Sequence, residues 1–129
     1  MTPELAYLLA AAVLTFVLLL IAVSGATLQV GLPTLAGNRE PTPEISGWAG
    51  RAQRAHYNML ESLVLFAILV LTARAVGVSN AQTVLGAALF FWGRVAHAVF
   101  YLAGVAWLRT AAWGVSVLGL ILLFVALLR

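Results

Sequence analysis

The chain has no cysteine, no lysine and no aspartate among its 129 residues. Without cysteine there are no disulfides, no thiolate metal sites and no cysteine nucleophile, so any thiol chemistry must use a thiol carried by a ligand. Without lysine, Schiff-base chemistry on the chain itself is excluded. The metal-ligating inventory is thin, with His56 and His97 on different segments and four glutamates in all, and the sequence predicts no metal site. Charge is scarce too: 9% of residues, against roughly 25% in a soluble domain. The seven basic residues are all arginine and are scattered, so the net charge of +3 forms no clustered basic face for nucleic acid.

What remains is apolar. Hydrophobic residues make up 64% of the chain and the mean hydropathy is +1.06, which reads as a multi-pass integral membrane protein. The predicted fold class is an all-α, antiparallel bundle of four transmembrane helices in a single domain, with spans near 4–24, 47–76, 81–103 and 109–128. The first apolar run, Leu5 to Val23, leads into small residues (Ala22-Val-Ser24, Gly25-Ala26) as a cleaved signal peptide would, but it is longer than a usual signal-peptide core. Its flank Met-Thr-Pro-Glu also carries an acid and no base, so it reads as a span. Thr27 to Gly50 is rich in glycine and proline and reads as the longest loop, with a short turn at Thr42–Ser46 and Ser46 as helix cap. Four spans put both ends of the chain on one side. Arg39, Arg51, Arg54 and Arg109 then lie on the other, which the positive-inside rule makes cytoplasmic.

Two spans carry polar stripes. In the second, Arg51, Arg54, Asn58 and Glu61 follow at i, i+3, i+7 and i+10, within an arc of roughly 80°, while His56 points the opposite way. In the third, Arg94, His97 and Tyr101 share a face. In the last, Arg109 and Thr110 open the span, and Trp113 and Ser116 follow on the Arg109 face. A charge costs at least about 2.5–3.5 kcal/mol near the centre of a span, so such residues normally face a bundle interior. They can hydrogen-bond one another and lock the packing. Yet Arg51, Arg54, Arg94 and Arg109 have only Glu61 as an acid within the spans, and surplus buried positive charge needs anions or water to balance it. A ligand with more than one carboxylate and one ammonium would complete such a cleft. Arginines would grip the carboxylates, Glu61 would take the ammonium, and Asn58, His97 and Tyr101 would set orientation.

The pattern Arg51-x-x-Arg54-Ala-His56-x-Asn58-x-x-Glu61 resembles the signature of the membrane-associated proteins in eicosanoid and glutathione metabolism, the MAPEG family. The similarity continues through Gly93-Arg94-Val-Ala-His97-x-x-x-Tyr101-Leu102 and Arg109. Gly37-Asn-Arg-Glu40 and Gly47-Trp-Ala-Gly50 look like the short bacterial members. The resemblance implies a homotrimer in a bacterial inner or plasma membrane, with glutathione bound between subunits near the cytoplasmic edge. It assigns glutathione binding to Arg51, Arg54, Asn58, Glu61, Arg94, His97 and Tyr101. It places Arg109 beside the thiol, with Thr110 where some relatives have serine. The activity implied is transfer of glutathione to a hydrophobic electrophile, or glutathione-dependent reduction of one. Relatives specialised for eicosanoids carry an extra arginine late in the first span and aromatic hydroxyls in the last. Here Thr27-Leu-Gln29 and Trp113 stand in those regions, which points away from prostaglandin or leukotriene substrates. The alternatives are a non-catalytic trimeric scaffold or binding protein and, with less support, a transporter, since no pair of broken helices is present.

Overall fold

The computed structural model describes all residues, 1–129, as five helices without strands. These are α1 (Pro3–Val30), α2 (Leu32–Ala36), α3 (Gly47–Ala75), α4 (Ala81–Ala103) and α5 (Ala106–Leu128). All but α2 are long and apolar enough to cross a membrane. The four run alternately up and down. α1 lies mainly on α3, α5 mainly on α4, and both α1 and α3 also touch α4.

Local chemistry sets the ends of these helices. Thr2 caps α1 by accepting from the Leu5 amide at 3.3 Å, with Pro3 at the first helical position. α1 runs to Val30, six residues past its expected end. Ser24 to Gln29 are polar or small but still helix-compatible, and Thr27 returns its hydroxyl to the Val23 carbonyl at 2.7 Å. At 28 residues, or about 42 Å, α1 outreaches a hydrocarbon core of roughly 30 Å, so its polar end lies at the interface. The loop holds its short helix at Leu32–Ala36, with Pro33 in the first turn, rather than a turn at Thr42–Ser46, which is irregular. Ser46 is the N-cap residue of α3, but its side chain makes no capping bond. Instead its backbone is held by Gln29: the Gln29 amide donates to the Ser46 carbonyl at 2.7 Å and accepts from the Ser46 amide at 3.0 Å.

Asn80 and Thr83 form a reciprocal capping box at the start of α4. Gly104 ends α4 in the left-handed region (φ 79°), and the Val105 amide reaches back to Phe100 at 2.9 Å. α5 starts at Ala106, three residues before the expected position, because this tight turn leaves only Gly104 and Val105 between the helices.

The core is Met59, Phe66, Val70, Phe90 and Leu123, with Phe66 and Phe90 stacked at 4.0 Å. Side chains such as Phe16, Val64, Ile68 and Ile121 point outward, as suits a hydrocarbon surround. Where α4 meets α5, small residues replace large ones. A Cβ on Gly119 would lie 2.5 Å from the Gly86 carbonyl oxygen, and one on Gly93 would lie 2.8 Å from the Ser116 amide nitrogen. The backbones therefore touch, as small residues allow in membranes. Gly119→Val is expected to prise α4 from α5 and lower stability in detergent by at least about 1–3 kcal/mol. The melting temperature reads this, and an unchanged value would show that the contact is not needed. At the opposite end of the bundle from the long loop, the Glu4 carboxylate is 2% exposed and accepts from the hydroxyls of Ser79, at 3.0 Å, and Thr83. It pins the start of α1 to the positive end of α4.

Candidate functional site

The polar stripes converge at the end of the bundle where α3 and α5 begin and α4 ends. Arg94 is the largest fully buried side chain, 1% exposed, although it carries a permanent charge. Its Nη2 donates to Asn58 Oδ1 at 2.7 Å, while Nε and Nη1 have no partner. Buried donors left in this state are rare and costly, at about 1–3 kcal/mol each and more for a charged group. Because Asn58 Oδ1 accepts from Arg94, its Nδ2 is free to donate to something else.

His97 is 3% exposed, and its ring meets that of Tyr101 edge-on at 5.4 Å. Arg109 lies over the Tyr101 ring, with Cζ 4.6 Å from its centroid. The phenol thus holds a guanidinium in place by a cation–π contact. Asn58, His97, Tyr101, Arg109, Thr110 and Trp113 line one open cavity of about 220 Å3. Thr110 is exposed and returns its hydroxyl to Ala106 at 3.1 Å. Trp113 sits one turn beyond Arg109 on α5 and forms the apolar part of the wall. It was legible only as a residue sharing a face with Arg109, since aromatic side chains also serve as plain lipid-facing bulk.

The remaining expected residues are placed differently. Arg94 stands behind the cavity, reaching it through Asn58 rather than lining it. Arg51 turns to the end of α4, where its Nε donates to the Leu102 carbonyl at 3.2 Å. A cation there satisfies a terminal carbonyl and complements the helix dipole. Arg54 and Glu61 do not line the cavity. Both are exposed on the outer face of α3, next to Tyr57, Leu60, Val64 and Leu65. Within one chain the stripe is therefore split: Asn58 faces inward with Arg94, while Arg54 and Glu61 face outward.

Chemically, the cavity offers a fixed cation (Arg109), a free amide donor (Asn58), a phenol, an imidazole and one indole face, and no carboxylate. It suits an anion with an apolar neighbour. His56 takes no part, since it lies on another face of α3 and borders a different, larger cavity. No curated protein and no solved structure gives a significant match to the chain. A family model does, described as the MAPEG family, and it matches residues 5–129. That match runs through all four long helices and every residue of the converging stripes, and the chain belongs to the MAPEG family.

Proposed function

We propose that the protein is a glutathione-binding membrane transferase whose site lies at the cytoplasmic end of the bundle and is completed by a neighbouring copy in a homotrimer. The observation that carries this reading is the surplus of unmatched guanidinium groups. Arg94 is buried with two of its three nitrogens unpartnered, and Arg109 is held on Tyr101 beside a cavity without an acid. Glutathione has two carboxylates for such groups and an ammonium for Glu61. The exposed pair Arg54 and Glu61 supports the same conclusion. Charged groups on a face that continues into Val64 and Ile68 would meet hydrocarbon unless a second copy or a ligand covered them.

Glutathione supplies the thiol that a chain without cysteine lacks. The chain's own groups do the rest. Arg109 provides the positive charge that favours a thiolate over a thiol. Tyr101 fixes the guanidinium, and Asn58, itself aligned by Arg94, donates its Nδ2–H to the ligand. Trp113 presents an apolar wall to a hydrophobic electrophile that reaches the cavity from the bilayer.

Thermal unfolding in detergent tests the reading. At ten times its dissociation constant, glutathione is expected to add about 1.4 kcal/mol of stability. No shift at millimolar glutathione counts against it. A second reading, a binding protein or scaffold without catalysis, draws on the Arg51–Leu102 and Arg94–Asn58 bonds, which show part of the stripe holding helices together. It is favoured if glutathione stabilises the protein but no electrophile in a broad panel is consumed.

A further inference from the structure

A second cavity, of about 510 Å3, lies between α1, α3 and the segment 31–45, on the side of α3 facing away from Asn58. Its size falls in the range of roughly 300–1,000 Å3 found for ligand sites. The Gln29–Ser46 bonds close the base of that segment, so α2 and residues 37–45 form a roof anchored at both ends. The walls are mostly apolar: Leu19, Val23 and Ala26 from α1, and Leu32 and Leu35 from the roof.

Polar groups interrupt this lining at a few points. Gln53, His56 and Tyr57 all border the cavity. The side-chain hydrogen bonds of α3 are made by Arg51, Asn58 and Ser62, so these three make none. His56 is 9% exposed, an unpartnered imidazole that faces this space. Gln53 is half-buried and Tyr57 exposed, so all three side chains are free to bond a ligand in this space. Arg39 is the only charged residue in the lining. It adopts a left-handed backbone conformation (φ 57°), uncommon for a non-glycine residue, and its Nε is spent on the Leu35 carbonyl at 2.7 Å. That bond fixes the side chain and leaves the two terminal nitrogens for an anion.

We propose that this chamber is a lipid site distinct from the arginine-lined cavity and that it takes a long-chain fatty acid. Arg39 and Gln53 hold the carboxylate, and the acyl chain follows Val23 and Leu19 towards the bilayer. One cation, an amide donor and a long apolar wall fit a single-chain anion. A neutral lipid would leave Arg39 without a counter-charge, and a two-chain phospholipid exceeds the volume.

Photolabelling of the full chain in nanodiscs tests this, with a diazirine-bearing oleate as probe and adducts mapped by peptide mass spectrometry. Saturable labelling confined to 19–27 and 32–45, displaced by oleate but not by oleyl alcohol, is expected. Arg39→Gln should weaken labelling by at least tenfold. Ala22→Leu, which fills the chamber, should do the same while leaving the glutathione-dependent thermal shift unchanged. Labelling spread over lipid-facing stretches such as 9–16 and 118–125, equal competition by oleyl alcohol, or full labelling of both variants would overturn the assignment. None of these outcomes depends on glutathione turnover, so the two proposals stand or fall separately.

Discussion

Replacing Arg109 with alanine is expected to cut conjugation of a generic aryl halide by about 10²–10³-fold while the protein still folds and assembles. The expectation follows from geometry. Arg109 is the one cation lining the cavity, and its guanidinium rests on Tyr101 rather than on a carboxylate, so its charge is not already neutralised. The packing of α5 on α4 runs through Ala112, Ser116, Gly119 and Leu123, which the substitution leaves alone. A free thiol titrates near 8.5, and a nearby cation lowers that value. Losing the cation should therefore move the pH–rate profile of the variant upward, with part of the missing rate returning above about pH 8.5. Arg109→Lys keeps the charge without the planar fork and should retain more activity than alanine. Turnover undiminished in Arg109→Ala at neutral pH would remove Arg109 as thiolate stabiliser.

Replacing Arg94 with methionine separates the two readings of the buried stripe by the sign of its effect. If the Arg94–Asn58 pair exists only to hold α3 and α4 together, its loss removes a 2.7 Å charge-assisted hydrogen bond and destabilises the free protein. If Arg94 is kept for a ligand, the free protein already carries the cost of two buried, unpartnered nitrogens. Methionine fills similar space without that cost, as hydrophobic replacements of buried ionic groups often do. The expected result is an unliganded stability within about 1 kcal/mol of the parent, or above it, together with loss of the glutathione-dependent shift. One charge-assisted hydrogen bond contributes about 1.5–3 kcal/mol, or roughly 10–100-fold in affinity. A large fall in unliganded stability with binding intact would make the stripe a structural network.

The features visible in the sequence were those that depend on period and composition. Four apolar runs of span length marked the bundle, because a bilayer tolerates only backbone that satisfies itself. The spacing of Arg94, His97 and Tyr101, and of Arg109 and Trp113, placed each group on one face, because helix geometry converts residue number into angle. Less visible was how a stripe divides once helices pack. Arg51, Arg54, Asn58 and Glu61 share an arc of roughly 80°, yet one bonds the end of α4, one meets Arg94 and two face outward. The width of that arc is enough for a neighbouring helix to cover one edge and leave the other bare. Glu4 shows the same limit. From the sequence it was an acid before an apolar run, and only the approach of Ser79 and Thr83, more than seventy residues away, turned it into a buried anchor.

Composition alone determined that this chain lies in a membrane, carries more cation than its own acids can match and must borrow any thiol it uses. Each of those conclusions depends on which residues are present and not on where they meet. The tertiary structure decided that Arg94 stands behind the cavity, that Tyr101 carries Arg109, and that His56 faces a separate chamber roofed by the loop. Those facts depend on contacts between segments far apart in sequence, and no local periodicity encodes them.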